Sequence, residues 1–404
     1  MPLSRRHFCS AATTLAAAHL LPAQTASSRT EPTSRPDVAL IDHDRILAAA
    51  DRFLSQPPDP LTAHAAPHPA GTPNEFVSDL DQPPSASTST PSTDSAPFTA
   101  HRDALLQFTL AVPALASAAF LTRSSDPARS ALYAKHAAEH LHAWFIAPKT
   151  RMEPSLNYAA IAPGTAGHPD GIADTSALAE IAQAIPFLAH SEALSAPVFT
   201  PEDLAALKAW FTAFGTWLAT SRLGGLARDR KDHVGSSWLL QSAACARLTA
   251  DDTALAELRH HFKTVTLRAE ILADGSFPHE LTSPNPYRNS LFNLDLLAAA
   301  CDLLSTRFES LWTYQLQDGP GLHVAIARHA PFIENRGSWP YRADARLFND
   351  LPCRRPALLF AARAYQRPEY ATLWRSLNPD PTEPAILRTF PIRQPLLWVS
   401  RPQP

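Results

Sequence analysis

The spacing of apolar residues along most of this chain is that of α-helices. Apolar side chains recur at intervals of three or four from Leu105 to Ala119, from Leu204 to Leu218 and from Leu255 to Ala269, which places each set on one helix face. Strand-like alternation is scarce, and only 12 of the 404 residues are Gly. These patterns predict an all-α protein.

The predicted helices follow one another in pairs. Thr200 is placed to cap one of them, with Asp203 three residues later, and Thr249 with Asp252 is expected to open the next in the same way. The absence of a fixed-period repeat favours an (α/α) toroid of stacked antiparallel hairpins around a groove over a solenoid. Further helices are predicted at about 37–53, 129–146, 175–190, 234–248, 289–304, 318–330 and 354–366.

The N-terminus has the composition of an export signal. Arg5 and Arg6 precede an alanine-rich apolar stretch and then small residues around Ala23. This order of basic, apolar and small segments is typical of a twin-arginine signal, which we place at residues 1–26. The mature protein is therefore expected in the periplasm or secreted.

Composition divides the rest of the chain near residue 100. Residues 27–100 hold one predicted helix and then, from Ser55, a segment crowded with Pro, Ser, Thr and Ala. Such a segment buries too little apolar area to offset the entropy of ordering, so we expect it to be mobile and on the surface. Residues 101–404 form the predicted helical domain.

Charge and cysteine usage exclude several classes of partner. The formal net charge is -3, which gives no attraction to phosphate backbones, so no nucleic acid partner is expected. Beyond the signal, no stretch approaches the ~18 unbroken apolar residues that span a bilayer, so no membrane span is expected. The widely spaced Cys245, Cys301 and Cys353 are predicted to be buried small hydrophobes rather than a metal knuckle.

Several polar stretches between the helices are too unusual to be plain connectors. In order and spacing they resemble the alginate lyase family of polysaccharide lyases, from about His101 to the C-terminus. The resemblance implies a helical toroid, β-elimination on an acidic, uronic-acid polysaccharide or oligosaccharide, and no cofactor. The stretches that carry it are Pro148–Ala159, His168–Thr175, Lys231–Trp238, Asp274–Leu281 with Ser290–Leu294, and Pro391–Trp398.

β-Elimination needs three groups around the reacting sugar. One neutralises the C5 carboxylate, a base takes the C5 proton, and an acid protonates the leaving O4. The family draws these groups from an Asn-Asn-His run and from a Tyr beyond a Glu-Leu element. A gapless match places Asp232 and His233 at the two Asn positions, Val234 at the His position, Ser283 at a usual Arg and Asn289 at the usual Tyr.

We therefore assign the base to His233, whose imidazole titrates in the useful range. Tyr287 is the candidate acid, and Arg288 is the candidate partner of the substrate carboxylate, since guanidinium suits that geometry. A structural hydrogen bond is the alternative for His233, and loop packing is the alternative for Tyr287. The candidate substrate-binding residues are Asp232, Asn157, Tyr158, His279 and Asn289.

Two other functions remain open from the sequence. The first is a carbohydrate-binding protein on the same scaffold that has lost catalysis. The second is a zinc hydrolase, because His136, Glu139 and His140 have the His-x-x-Glu-His spacing of an inverted zinc protease helix. The composition of that helix is also typical of an ordinary solvent-exposed helix face, and we predict no metal site.

Overall fold

A computed structural model of the chain describes residues 33–67, 71–80, 97–161, 166–189 and 197–400. The predicted export signal at residues 1–26 lies outside the described residues. From Thr33 onward the chain forms one compact unit, so the composition change near residue 100 does not separate two units.

Most described residues lie in α-helices, as the spacing of apolar residues predicts. In chain order the helices are α1 (Val38–Ile41), α2 (His43–Phe53), α3 (Ala100–Thr122), α4 (Pro127–Leu141), α5 (Gly171–Asp174), α6 (Leu178–Ala189), α7 (Pro201–Thr220), α8 (Arg222–Arg228), α9 (His233–Thr249), α10 (Asp252–His261), α11 (Leu267–Glu270), α12 (Pro278–Leu281), α13 (Pro286–Leu304), α14 (Leu322–Glu334), α15 (Pro356–Tyr365), α16 (Pro368–Ser376), α17 (Pro384–Leu387) and α18 (Leu396–Val399). Single π-helical turns follow α4 and α10, at His142–Ile146 and Phe262–Thr266.

The longer helices form an inner and an outer layer. The inner helices α3, α6, α9, α13 and α15 pack against one another in that order, and α18 packs back on both α3 and α6. The outer helices α4, α7, α10, α14 and α16 each pack on a neighbouring inner helix. Inner helices such as α9 and α13 are buried on nearly all sides, as the centre of such a ring requires. The predicted (α/α) toroid is confirmed.

The C-terminal segment is held to α6 by a buried carboxylate. Glu180 in α6 accepts hydrogen bonds from the backbone N–H groups of Arg393 (2.9 Å) and Gln394 (2.7 Å). Burial raises the pKa of Glu180 to about 7, against the effect of these two donors. The contact joins the second inner helix to the end of the chain.

Helix α3 is long and apolar enough to cross a membrane by length and composition. In the fold, 78% of its most apolar stretch is buried inside the protein. Its apolar surface is therefore covered by the helices of the ring, and Pro113 lies inside it.

The mobile segment expected from Ser55 is a wrong prediction for part of its length. Leu61 and Phe76 are fully buried, and strand β1 (Val77–Asp79) pairs in parallel with β2 (Tyr158–Ile161). The backbone N–H of Val77 also donates to Nδ1 of His101 at the start of α3. The composition of the segment is polar, but a few apolar residues suffice to anchor its described parts at 55–67 and 71–80; residues 81–96 lie outside the described residues.

Helix starts were predicted with mixed success. In α7 the side chain of Thr200 accepts from the Asp203 N–H, and the Asp203 carboxylate accepts from the Thr200 N–H, so the predicted cap is confirmed. Helix α10 is instead capped by Asp251, and the hydroxyl of Thr249 bonds to the Cys245 carbonyl inside α9. An Asp nearer the helix displaced the predicted cap.

Candidate functional site

The candidate site is built on the first turn of α9. His233 is its first residue, and Asp232 caps it by accepting a 3.1 Å hydrogen bond from the Val234 N–H. Because the first N–H groups of a helix lack partners within it, a carboxylate is stabilised there. Arg230 donates to the same carboxylate, and burial of Asp232 is outweighed so that its pKa is lowered. Asp232 is therefore ionised and structurally engaged.

His233 is held by Glu280 of α12. The Glu280 carboxylate lies 3.0 Å from Nδ1 of His233 and also accepts from its backbone N–H. Glu280 is only 1% exposed, whereas the His233 side chain is 23% exposed. The ring of Phe292 lies 5.6 Å from the imidazole. These contacts fix the ring and leave Nε2 as the nitrogen available to a substrate.

Carboxylates set the protonation of His233. Burial alone would lower its pKa, but Glu280, then Asp232 and Asp170, raise the pKa of His233 to about 9. The imidazole is thus a cation at neutral pH and becomes a base as the pH approaches this value.

Arg230 also begins a row of polar contacts that leads away from Asp232 and His233. Arg230 lies 3.5 Å from Asp170, and Asp170 lies 3.2 Å from Nδ1 of His168. The loop carrying these two residues approaches Asn157 closely, since a Cβ atom on Gly167 would lie 2.4 Å from the Asn157 carbonyl oxygen. Asn157 and Tyr158, both predicted to bind substrate, therefore lie at the start of β2, packed against the loop that carries Asp170.

A second glutamate lies beneath the first turn of α9. Glu270 is 2% exposed and accepts from the Ser236 hydroxyl at 2.7 Å and the Asn293 amide at 2.9 Å. Burial raises the pKa of Glu270 to about 8 despite these donors. Glu270 therefore holds a proton at neutral pH and ties α9 to α13. Gly235 passes next to it, with room for no side chain.

Tyr287, the predicted acid, is fully buried. Its hydroxyl donates to the Phe332 carbonyl at 2.9 Å, and its ring packs 5.0 Å from that of Trp339. This placement corrects the assignment of the acid, because a hydroxyl bonded inside the core does not reach a sugar. The half-buried Arg288 follows it, and its backbone N–H donates to Asp344 at 2.9 Å.

The remaining predicted residues lie on either side of Glu280 in sequence. His279 is exposed on α12. Asn289, in the first turn of α13, donates from its amide to the hydroxyl of Ser283 at 3.2 Å. Ser283 in turn donates its backbone N–H to the Glu280 carbonyl, 3.0 Å away. Both candidates are thus close in the chain to the residue that holds His233.

Comparison with known proteins identifies the family. The model of the family described as "Alginate lyase" matches residues 47–339, which contain every residue of the site described above. This chain belongs to the alginate lyase family. Family membership supports a polysaccharide lyase.

One solved structure shows the same fold as this alginate lyase family member, and a second has a lower structural similarity. An alginate lyase from Bacteroides ovatus is 22% identical, with a TM-score of 0.72 over 90% of this chain and 93% of that chain. A variant of alginate lyase A1-III, complexed with a tetrasaccharide, is 15% identical, with a TM-score of 0.47 over 89% of this chain and 95% of that chain. No curated protein sequence matches.

The histidines of the alternative zinc motif have structural contacts in this alginate lyase family member. His136 contacts Glu139 at 2.9 Å through Nδ1, and its Nε2 lies 3.0 Å from the Phe53 carbonyl at the end of α2. Burial lowers the pKa of His140 to about 4. Among the described residues no cluster of potential ligands could hold a metal ion. The motif joins α4 to α2.

Some site residues of this alginate lyase family member were missed from the sequence. Glu280 and Asp170 lie within the stretches that carry the resemblance but were not singled out, and Arg230 directly precedes one. Glu270 lies at the end of a predicted helix. The sequence offered one signal for Glu270. It is a single acidic residue at the end of a helix, directly before the apolar Ile271.

Proposed function

We propose that the protein cleaves a uronic-acid polysaccharide by β-elimination, with His233 as the base. The single observation that supports this most is the contact of His233 with the buried Glu280 in a chain of the alginate lyase family. Glu280 orients the imidazole through Nδ1, so that Nε2 is directed toward substrate, the arrangement in which a positioned histidine removes a proton.

The proposed elimination needs few protein groups to account for every bond and proton. Nε2 of His233 takes the C5 proton, the electron pair of that C–H bond forms the C4–C5 double bond, and the C4–O4 bond breaks. Because Tyr287 is turned into the core, we assign the protonation of O4 to the imidazolium that the first step creates. The products are a new chain end and an unsaturated uronic acid.

His233→Ala tests the assignment of the base. With a panel of polyuronates, turnover is followed by the ultraviolet absorbance of the new double bond. We expect the variant to lose about 10² to 10⁴ in turnover while its binding of the same polymer changes little. His142→Ala, which removes an exposed histidine from the turn after α4, is the control. Equal turnover in wild type and His233→Ala would exclude His233 as the base.

A binding protein without catalysis is the second candidate. It is favoured by the burial of Tyr287 and by the pairing of Arg230 with two carboxylates, which leaves its charge compensated. In that case the wild-type protein binds a polyuronate and forms no unsaturated product. The same absorbance measurement therefore separates the two functions.

Export to the periplasm or the medium is part of the proposal and rests on the twin-arginine pair. Replacing Arg5 and Arg6 by Lys is expected to leave the protein in the cytoplasm, because an export receptor reads the pair rather than the fold. Cell fractionation with an antibody measures the outcome. Undiminished export of the double variant would remove the twin-arginine assignment.

A further inference from the structure

The loop between α14 and α15 is fixed at two points beside the candidate site. Trp339 is 8% exposed and packs against the rings of Tyr287 (5.0 Å) and Phe332 (5.4 Å). Five residues later, the carboxylate of Asp344 accepts the backbone N–H groups of Tyr287 at 2.8 Å and Arg288 at 2.9 Å. The stretch between these anchors is therefore held in place.

That stretch presents an aromatic ring and a guanidinium to solvent. Tyr341 is 36% exposed; its ring lies 5.1 Å from that of Trp339, and its hydroxyl accepts from Arg328 at 3.0 Å. Arg342 is exposed, and the Trp339 indole N–H donates to its carbonyl at 3.2 Å. Arg342 has no ion pair with any residue in the described part of the chain. Its charge is thus not compensated locally.

Arg342 lies close to the residues that hold His233. Its guanidinium donates to the backbone carbonyl of Ser283. The N–H of Ser283 donates to the Glu280 carbonyl, so the two residues are separated by a single turn of the chain. The contacts therefore run from His233 through Glu280 and Ser283 to Arg342.

We propose that Tyr341 and Arg342 form a subsite that binds a uronate unit adjacent to the unit that reacts at His233. The inference rests on the proposed function and specifies the chemistry of its substrate. A tyrosine ring offers an apolar face to the C–H groups of a sugar, and the guanidinium fork binds a carboxylate through two hydrogen bonds. Because the loop is anchored on both sides, little ordering entropy is lost on binding.

Binding measured without turnover tests the subsite. In the His233→Ala background, calorimetric titration with tetramannuronate is expected to show a dissociation constant about tenfold or more higher when Arg342 is also replaced by Ala. Arg342→Lys keeps the charge without the fork and should recover only part of the loss. The carboxyl-reduced tetrasaccharide should bind equally well with or without Arg342.

Arg307→Ala provides a matched control. Arg307 lies over the exposed ring of Phe308, with its guanidinium carbon 4.4 Å from the ring centre, so it is also a surface arginine beside an aromatic side chain. It follows the C-terminal end of α13, whereas the site is at the N-terminal end. The control removes the same charge far from the site.

The outcomes are separable from those of the proposed function. In active enzyme, Arg342→Ala should raise KM and leave kcat nearly unchanged. Equal dissociation constants for Arg342→Ala and Arg307→Ala would overturn the subsite, and so would a loss confined to kcat. Absence of any unsaturated product from the wild type would instead refute the elimination, while the titration would still decide whether Arg342 binds uronate.

Discussion

Glu280 has two roles at the level of single residues. It orients His233 through a 3.0 Å contact with Nδ1, and it is the strongest of the carboxylates that raise the pKa of His233 to about 9. In the proposed reaction, the first role positions the imidazole. The second delays its deprotonation until alkaline pH. Replacing Glu280 by Gln separates the two effects, because the glutamine amide keeps an acceptor oxygen for His233 but carries no charge.

Glu280→Gln should therefore shift the pH profile. A base works when deprotonated, so kcat/KM of the wild type should rise with pH toward about 9. Removing the opposite charge should lower the pKa of His233 and move this rise by about 1 to 3 pH units to lower pH. The measurement is kcat/KM against pH, with the exposed Glu257→Gln as control. An unmoved profile would mean that another group titrates.

At the scale of elements, the sequence predicted which helices exist better than where they begin. The helix predicted from residue 289 starts at Pro286, and this difference left Tyr287 in a loop as a candidate acid. Tyr287 and Leu291 are both fully buried and four residues apart, so they share the core-facing side of α13. Extending the apolar stripe by one turn would have assigned Tyr287 to the core.

The site itself was less predictable, because its contacts join distant elements. His233 was singled out from the sequence, but its partner Glu280 is 47 residues away and was not. A charged residue in a short helix such as α12 gives no periodic signal of burial. The same holds for Glu270, which meets Asn293 only because α11 and α13 flank α9. Such pairs are visible only once the ring is assembled.

The first turn of α9 tolerates no side chain at Gly235. A Cβ atom there would lie 2.5 Å from the Arg230 carbonyl oxygen and 3.3 Å from the Glu270 carboxylate. Gly235→Ala should displace the turn that carries His233, destabilise the fold by about 1 to 3 kcal/mol and lower kcat. Urea unfolding and turnover measure the two effects.

Gly225→Ala is the matched control for this substitution. It lies in α8, and an added Cβ would meet nothing within 4 Å. Replacing a helical glycine by alanine at an unhindered position should stabilise the protein by about 0.5 to 1 kcal/mol. If the two variants had the same stability and turnover, the close packing at Gly235 would not be needed by the site.

For the molecule as a whole, three groups make stability depend on pH in the same direction. The folded protein raises the pKa of Glu180 to about 7 and of Glu270 to about 8, from 4.5, and of His233 to about 9, from 6.5. Between each pair of values the folded state holds a proton that the unfolded state has lost. Stability therefore falls as pH rises through this window.

Two buried histidines act in the opposite direction over a window that overlaps the lower part of this range. Burial lowers the pKa of His140 and of His329 to about 4, so the unfolded state binds more protons between pH 4 and 6.5, and stability rises with pH there. The two glutamates and the two histidines offset each other between about pH 4.5 and 6.5, so we expect a broad stability maximum there and a loss of a few kcal/mol by pH 9, measured by urea unfolding at each pH. Glu270→Gln should reduce the loss between pH 6.5 and 8. Undiminished stability at pH 9 would contradict the assigned protonation states.

The contact of Glu180 with Arg393 and Gln394 also sets the order of assembly. It joins residues 213 apart in the sequence, so it forms only after the last segment of the chain has been synthesised. Until then Glu180 is in water and ionised near neutral pH, whereas in the closed ring its pKa is about 7. Docking of the C-terminal segment is consequently accompanied by proton uptake, and a nascent chain that lacks it leaves the surfaces of α3 and α6 exposed to other partners.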